Sequence, residues 1–455
     1  MKVLILGAGQ VGRTAAAHLA REPDNQVTVV DNNEAVLREL QSRIDVRTVA
    51  GNASYPAVLE AAGITDTDML VALTSSDEVN MVACEIAHAL YRTPTKIARI
   101  RASEYTSQER LFADGALAVD VWISPEQLVT EYIERLIRNP GALHVVDFAD
   151  GKVRLVGMQA RKGGLLVGQQ LRTLRDHMPN AEARIAAIYR NGRFIEPDGE
   201  TQIEEGDEVF FVAARDNIQR MMNEITRAEE KVRKVVIAGG GNIGFRLARL
   251  LEKDFQVKLV ERDIERARRV SERLDGTIVL NGDAQDEELL IEENIDSTDV
   301  FAAVTNSEEA NALSAMLAKR LGARKVLALV NRPSYGELME NRSIDIAVSP
   351  QTVTIGSLLA HVRKGDVVRV HSLRRSSAEA LETVVHGPEE RSRVVGRRIE
   401  ELAMPNGASI VAVVRGDRVL IAHHDTRIEN EDHVIVFLSD RRQIDAVQRL
   451  FQLTT

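Results

Sequence analysis

The sequence predicts an α/β protein built from two tandem copies of one unit. Each unit is a doubly wound parallel sheet followed by a small α+β subdomain. Three observations predict it. A Gly-rich turn lies between a buried strand and a helix at residues 3–12, the same arrangement recurs at residues 235–244, and the segments after each turn match in order to the end of the chain.

The first copy opens with the apolar run Val3, Leu4, Ile5 and Leu6, which reads as a buried strand. The chain turns at Gly7-Ala8-Gly9 and enters a helix through Gly12. G-x-G-x-x-G between a strand and a helix is the dinucleotide fingerprint of a Rossmann-like sheet. Gly7 permits the turn, Gly9 lets a pyrophosphate approach the backbone, and Gly12 allows close packing of the helix. The free N–H groups of that helix then face the phosphates. A second strand, Val27 to Val30, ends in Asp31, about 20 residues beyond the turn as the fingerprint requires. A carboxylate there accepts hydrogen bonds from ribose hydroxyls and repels a 2′-phosphate. With Asn32 and Asn33 next, and no arginine, NAD is favoured over NADP. In the second copy Val235 to Ala238 leads into Gly239-Gly240-Gly241-Asn242-Ile243-Gly244, and strand Val257 to Val260 ends in Glu261. Arg262 follows, which blurs the preference at that site.

The remaining strands and helices alternate, as in a parallel sheet covered on both faces. Strand Val46 to Val49 precedes Gly51-Asn52-Ala53-Ser54, and strand Met69 to Leu73 runs into Thr74-Ser75-Ser76. Asp77 is an expected N-cap for a helix with Val79, Val82, Ile86 and Leu90 on one face. Strand Ile97 to Ile100 is flanked by Arg99 and Arg101, and strand Val119 to Ile123 precedes Ser124-Pro125. The second copy answers with Gly282-Asp283-Ala284, Ala303-Val304-Thr305-Asn306, Asn311 for Asn80, Tyr335 for Tyr105, and Ser349-Pro350. A nearly constant offset of this kind, with only small loop deletions, is a domain duplication, not a solenoid.

A helix starts at each Ser-Pro pair. In the first, Leu128, Val129, Tyr132, Ile133, Leu136 and Ile137 form an apolar stripe, either packed on its own sheet or presented to another domain. Each half closes with a smaller β-rich domain. There Val167-Gly168 answers Val395-Gly396, Ile185 to Ile188 answers Ile410 to Val413, and Thr201, Ile203 and Asp207 answer Thr426, Ile428 and Asp432. The expected division is 1–125 and 234–349 for the nucleotide-type domains, 126–142 and 350–365 for crossover helices, 143–226 and 366–455 for C-terminal subdomains, and 227–233 for a charged linker.

Composition bounds the function. The chain has 455 residues, 44% hydrophobic and 28% charged, as in a globular protein of several domains. A net charge of −10 argues against nucleic-acid binding and against adhesion to anionic lipid. One cysteine, Cys84 in a helical pattern, excludes disulfide scaffolds and reads as a small buried hydrophobe. No run is long enough to span a membrane, and the first strand is too short for a signal peptide.

No residue is assigned to catalysis or to a metal. The histidines have no counterparts between the halves, and His423-His424 reads as a solvated turn. A dehydrogenase needs a proton donor or acceptor placed against the nicotinamide, and no domain here is built to supply one. An NAD-dependent oxidoreductase with an unrecognised substrate is the competing reading. The two sites also differ: Arg99 and Arg101 can clamp phosphates at the sheet edge, whereas the second copy has Leu329 and Asn331, with Arg332 displaced by one.

The duplicated order resembles RCK (KTN) domains, the cytosolic ligand-sensing domains of potassium channels and transporters. It carries a Gly-rich turn, an acidic strand end, a Thr-Ser-Ser-Asp-x-x-Asn stretch, an Ala-Arg-Ile-Arg strand and an Ile-Ser-Pro helix start. Two complete units in one chain are similar to the peripheral subunits of bacterial Trk potassium uptake systems. The resemblance implies a homotetrameric ring on the cytoplasmic face of the inner membrane, soluble when detached. It implies attachment to a membrane-embedded potassium-translocating subunit of the TrkH or TrkG type, and gating by NAD(H) and by ATP and ADP without enzymatic turnover. It carries the nucleotide role to Gly7, Ala8, Gly9, Gln10, Val11, Asp31, Thr74, Ser75 and Arg99. In the second unit it carries that role to Gly239, Gly240, Gly241, Asn242, Ile243, Glu261, Asp283 and Thr305.

Overall fold

The computed structural model describes residues 1–22, 25–113, 116–177, 183–227, 231–331, 343–362, 367–373 and 378–452. Two compact units are present. One comprises Met1–Val129 with Val353–Leu358, and the other comprises Thr130–Thr352 with Leu359–Thr455.

The first unit holds a sheet of six parallel strands: β1 (Lys2–Leu6), β2 (Gln26–Asp31), β3 (Arg47–Ala50), β4 (Met69–Ala72), β5 (Thr95–Arg99) and β6 (Val121–Ile123). Their spatial order is β3-β2-β1-β4-β5-β6, so the chain reverses direction across the sheet at β1 and β4. Such a switch point opens a crevice at the carboxyl ends of the two strands, where open α/β sheets bind ligands. Helices α1 (Gln10–Leu19), α2 (Glu34–Gln41), α3 (Pro56–Ala62), α4 (Asp77–Tyr91), α5 (Ser103–Thr106) and α6 (Pro125–Arg138) connect and follow the strands. Side chains alternate across each strand. Leu4, Leu6, Leu70, Ala72 and Ala98 face one core with Leu59 of α3 and Ala83, Cys84 and Ala87 of α4. Cys84 is fully buried there, and burial pushes its thiol up to about 12, which removes it from nucleophilic chemistry.

One local expectation needs correction. Ser76, not Asp77, caps α4, its hydroxyl accepting from the Val79 N–H at 3.2 Å. Asp77 is the first helical residue, and its carboxylate accepts instead from the N–H groups of Arg101 and Ala102, both at 2.8 Å. Along the stripe of Val79, Val82, Ile86 and Leu90, Val79 and Ile86 are half-buried against the core, whereas Val82 and Leu90 are exposed, Leu90 to 61%. The centre of the contact with the sheet is made by Ala83, Cys84 and Ala87, small enough for a helix to lie close. The equivalent helix of the second copy repeats this, with Leu313 56% exposed and Met316 also open to solvent.

Within the second unit, strands β7 (Ala142–Phe148), β8 (Val153–Gln159), β9 (Ala183–Arg190), β10 (Arg193–Ile195) and β11 (Glu208–Ala214) form an antiparallel sheet in the order β10-β9-β11-β8-β7. Helices α7 (Leu174–His177) and α8 (Ile218–Ile225) accompany it. The next sheet, β12 (Lys234–Ala238), β13 (Gln256–Glu261), β14 (Ile278–Asn281), β15 (Val300–Ala303), β16 (Lys325–Leu329) and β17 (Ile346–Val348), has the parallel order β14-β13-β12-β15-β16-β17. Helices α9 (Asn242–Leu251), α10 (Ile264–Ser271), α11 (Glu287–Glu292) and α12 (Glu308–Arg320) connect its strands. The last sheet, β18 (Val367–Leu373), β19 (Ala378–Val384), β20 (Ala408–Arg415), β21 (Arg418–Ile421) and β22 (His433–Leu438), repeats the antiparallel order strand for strand. The duplication therefore extends to topology.

The two antiparallel sheets share one core. Phe148, Tyr189, Phe210 and Val212 pack in a single cluster with Val411, Ile435 and Phe437, and the rings of Phe210 and Phe437 lie 5.8 Å apart. Burying these aromatics against one another makes the pair of subdomains one cooperative body. A polar tie crosses the same junction: the Ala149 N–H donates to Glu382 Oε2 at 3.0 Å, and Glu382 Oε1 meets His433 Nδ1 at 2.6 Å.

Each subdomain is also closed by the same ion pair. Asp207 is 1% exposed and takes Arg190 through Nε and Nη2, both at 2.8 Å, and the Glu204 N–H at 2.9 Å. Asp432, fully buried, takes Arg415 in the same way, plus the Glu429 N–H at 2.7 Å. The aspartate holds each guanidinium above its ordinary range, chiefly through these hydrogen bonds.

The Ser-Pro pairs start helices, as their spacing predicts. The Ser124 hydroxyl accepts from the Gln127 N–H at 3.4 Å, and Ser349 from Thr352 at 3.4 Å. Helix α6 begins in the first unit and runs on into the second, while Pro350–Val362 contributes Val353–Leu358 to the first. Arg332, Tyr335 and residues 228–230 of the charged linker lie outside the described residues.

Candidate functional site: two phosphate turns

The turn after β1 is built as its glycines demand. Gly7 sits at φ 100°, where a Cβ would come within 2.9 Å of the Leu73 backbone. A Cβ on Gly12 would overlap the Gly7 carbonyl oxygen, so α1 is seated directly on its own entry turn. A Cβ on Gly9 would meet nothing within 4 Å, so its face is open to a ligand. The second turn is a replica: Gly239 at φ 107°, Gly244 against the Gly239 carbonyl, and Gly241 open.

Helices α1 and α9 begin at Gly9 and Gly241 in extended backbone with no side-chain cap. By contrast Asn33, Ser76, Asp263, Asp286 and Ser307 all cap the helices that follow them. Uncapped first-turn N–H groups at the positive end of a helix dipole are a ready anion site.

The acids at the ends of β2 and β13 brace these turns identically. Asp31 accepts from the Ala8 N–H at 2.6 Å and the Asn33 N–H at 2.8 Å. Glu261 accepts from the Gly240 N–H at 2.7 Å and the Asp263 N–H at 2.8 Å, with Arg266 Nη1 at 3.7 Å. Each carboxylate oxygen keeps lone-pair capacity for a further donor such as a ribose hydroxyl. Ala8, Gly239 and Gly240 are buried, whereas Gln10 and Asn242 are exposed and Val11 and Ile243 half-buried at the first helical turn. Asp283 lies near the acid end of β13, its Oδ2 3.9 Å from Arg262 Nη1 and its Oδ1 accepting from the Gln285 N–H at 2.9 Å.

Across the switch point stand Thr74 and Thr305. The N–H and hydroxyl of Thr74 donate to Asn80 Oδ1 at 2.9 and 2.7 Å, and Asn80 Nδ2 donates to the Arg99 carbonyl at 2.9 Å. In the second copy Thr305 meets Asn311 at 2.8 and 2.6 Å, and Asn311 reaches the Leu329 carbonyl at 3.1 Å. The buried Asn80 and Asn311 thus lock the ends of two strands together. They are the positioning residues that a reading of ligand-facing groups omits, although their matched spacing announced them. Ser75 is exposed, and its carbonyl accepts from Arg101 Nη2. Arg101 Nε also meets Asp77 Oδ1 at 3.3 Å, so this guanidinium braces the start of α4. Arg99 meets Glu126 at the start of α6, at 3.2 Å.

A duplicated parallel sheet with a phosphate-type turn, each copy followed by an antiparallel subdomain, defines a tandem RCK protein. The TrkA-N domain family matches residues 3–125 and 235–350, and the TrkA-C domain family matches residues 156–226 and 389–452. The Trk system potassium uptake protein TrkA of Halomonas elongata is 57% identical over 453 residues, covering 100% of this chain and 99% of its own. The protein of that name from Vibrio alginolyticus is 54% identical, covering 99% of each chain. The chain belongs to the TrkA family of Trk-system potassium uptake proteins. Among solved structures, a GsuK channel bound to NAD superposes with a TM-score of 0.62 at 20% identity, covering 99% of this chain and 78% of that one. The GsuK RCK domain gives 0.62 at 20%, covering 99% and 94%. These similarities establish the RCK fold. Among the described residues, no helix is long and apolar enough to cross a membrane.

Proposed function

We propose that the chain is the nucleotide-binding regulatory subunit of a Trk-type potassium uptake system. It binds NAD(H), ATP and ADP at its two Gly-rich turns and gates a membrane-embedded translocating subunit of the TrkH or TrkG type. The observation that carries this reading is the twofold occurrence of one anion cradle: an open glycine, an uncapped helix start and a carboxylate bracing the turn. The NAD named for the GsuK channel supports the dinucleotide as one ligand.

No bond need be made or broken. A ligand shifts a conformational equilibrium by its differential affinity for two states. A nucleotide in the crevice at the carboxyl ends of β1 and β4 lies beside the loop from which α4 starts, and α6, which follows β6 of the same sheet, continues into the second unit. We place the chain at the cytoplasmic face of the inner membrane as a peripheral ring of four copies. The outward apolar faces of α4 and α12, alike in both halves, support such self-assembly.

Potassium flux into vesicles that hold the translocating subunit tests the reading. With this chain added, flux is expected to change on titration with NADH, NAD, ATP or ADP, and to be insensitive to all four without it. Flux that ignores every nucleotide in the presence of the bound chain would refute gating.

A further inference from the structure

We propose that the Arg99–Glu126 ion pair is a latch that a nucleotide's terminal phosphates open, and that only the first unit has it. The proposal rests on the nucleotide reading of the first turn.

Position comes first. Leu6, Ala72 and Ala98 are paired in register across β1, β4 and β5. Arg99 is therefore one step beyond the pairing, level with Gly7 and two strand spacings away, roughly 10 Å. Ala98 faces the core under α3 and α4, so alternation puts the Arg99 side chain on the other face. Helix α1 lies on that face, since a Cβ at Gly12 would be 3.9 Å from Ile5 Cγ2. A phosphate chain seated on the start of α1 can thus extend toward the guanidinium.

The guanidinium is held elsewhere in this structure. Arg99 Nη2 meets Glu126 Oε1 at 3.2 Å, and the two side chains are only 19% and 17% exposed. Arg99 Nε is enclosed and donates to no described group. Glu126 lies in the first turn of α6, the helix that carries the chain from the first unit into the second. Arg101 is not an alternative latch, because Asp77 and the Ser75 carbonyl hold it within the α4 entry.

The duplication supplies the comparison. Leu329 stands where Arg99 does, and Gln351 stands where Glu126 does. Both charges are absent together, as expected of two residues that act as a pair, since either alone would be a half-buried unpaired charge. The surrounding frame is kept, for Asn311 bonds the Leu329 carbonyl as Asn80 bonds that of Arg99. The strand end that carries the ion pair is thus kept while both of its charges are lost.

Phosphate oxygens compete with a carboxylate for a guanidinium and accept it bidentately. When a terminal phosphate takes Arg99, Glu126 is left facing another anion, and repulsion drives it and the first turn of α6 away. By linkage, the carboxylate that restrains α6 must also oppose binding of the ligand that releases it. Ligands whose phosphates reach Arg99 thereby act on α6, and occupancy of the second site has no such lever.

The test uses the full chain carrying Glu261→Ala, so that the first site is read alone, with ATP as the probe. Glu126→Gln installs the second unit's own residue and keeps the side-chain shape. It is expected to raise ATP affinity about tenfold, because an internal competitor is gone. Hydrogen exchange of residues 125–138 is expected to accelerate on ATP binding with Glu126 present, and to be fast already in Glu126→Gln without ATP. Unchanged or weakened ATP affinity in Glu126→Gln, or α6 exchange that ignores saturating ATP, overturns the latch while leaving nucleotide binding standing. Absence of ATP binding with and without the substitution overturns both the latch and the nucleotide reading beneath it.

Discussion

Gly12→Val is expected to abolish nucleotide binding at the first site, weakening it by at least about 100-fold, and to destabilise the first unit by on the order of 3 kcal/mol. The cause is geometric. Any Cβ here collides with the Gly7 carbonyl oxygen, which is backbone and cannot rotate aside. Helix α1 must then lift off the turn, and its first N–H groups no longer converge on one point. The second site sits on a separate sheet and is expected to keep its affinity. Gly9→Ala separates architecture from ligand contact. Gly9 has φ −67° and no neighbour within 4 Å of the added methyl group, so this variant is expected to fold with parent stability yet bind more weakly. Thermal unfolding with calorimetric titration of each variant checks both statements. Parent-like binding by Gly12→Val would show that the turn is not the phosphate cradle.

Asp432→Ala is expected to lower the stability of the paired C-terminal subdomains by about 3 kcal/mol. Its carboxylate is fully buried, holds Arg415 with two hydrogen bonds and accepts the Glu429 N–H. Truncation strands that N–H and removes the partner of a cation whose side chain is only 32% exposed. The subdomains share one aromatic core, so the loss is expected to be felt by both sheets. A shift of the urea midpoint reads it, and an unchanged midpoint would mean that Arg415 finds an equivalent partner. Asp207→Ala, at the matching position, is expected to behave alike.

What could be read from the sequence was whatever local spacing determines. The two turns, the strands beside them and the acids that end β2 and β13 follow from short patterns, and the duplication let each copy check the other. The cap of α4 misled because Ser76 and Asp77 are both good capping residues. The choice between them is made by the Arg101 and Ala102 N–H groups, 24 and 25 residues away. Periodicity finds the apolar stripe of α4, but only the packed structure separates Val79 and Ile86, against the core, from the exposed Val82 and Leu90. Nothing local pairs β7 through β11 with a sheet more than 200 residues later, and their common core was not foreseeable from spacing. Glu126 was passed over for the same reason, since only contact with Arg99, and the joint change to Leu329 and Gln351, gives it meaning.

The most direct measurement is calorimetric titration of NADH, NAD, ATP and ADP into the parent chain, Asp31→Ala and Glu261→Ala. Each substitution removes a carboxylate that braces one turn and can receive a ribose hydroxyl, a loss of about 1.5–3 kcal/mol or roughly 10- to 150-fold in affinity. Two classes of site in the parent, one weakened by each substitution and with every nucleotide recovered unaltered, is the predicted result. Isotherms that neither substitution changes would contradict it, and would reduce both Gly-rich turns to architecture.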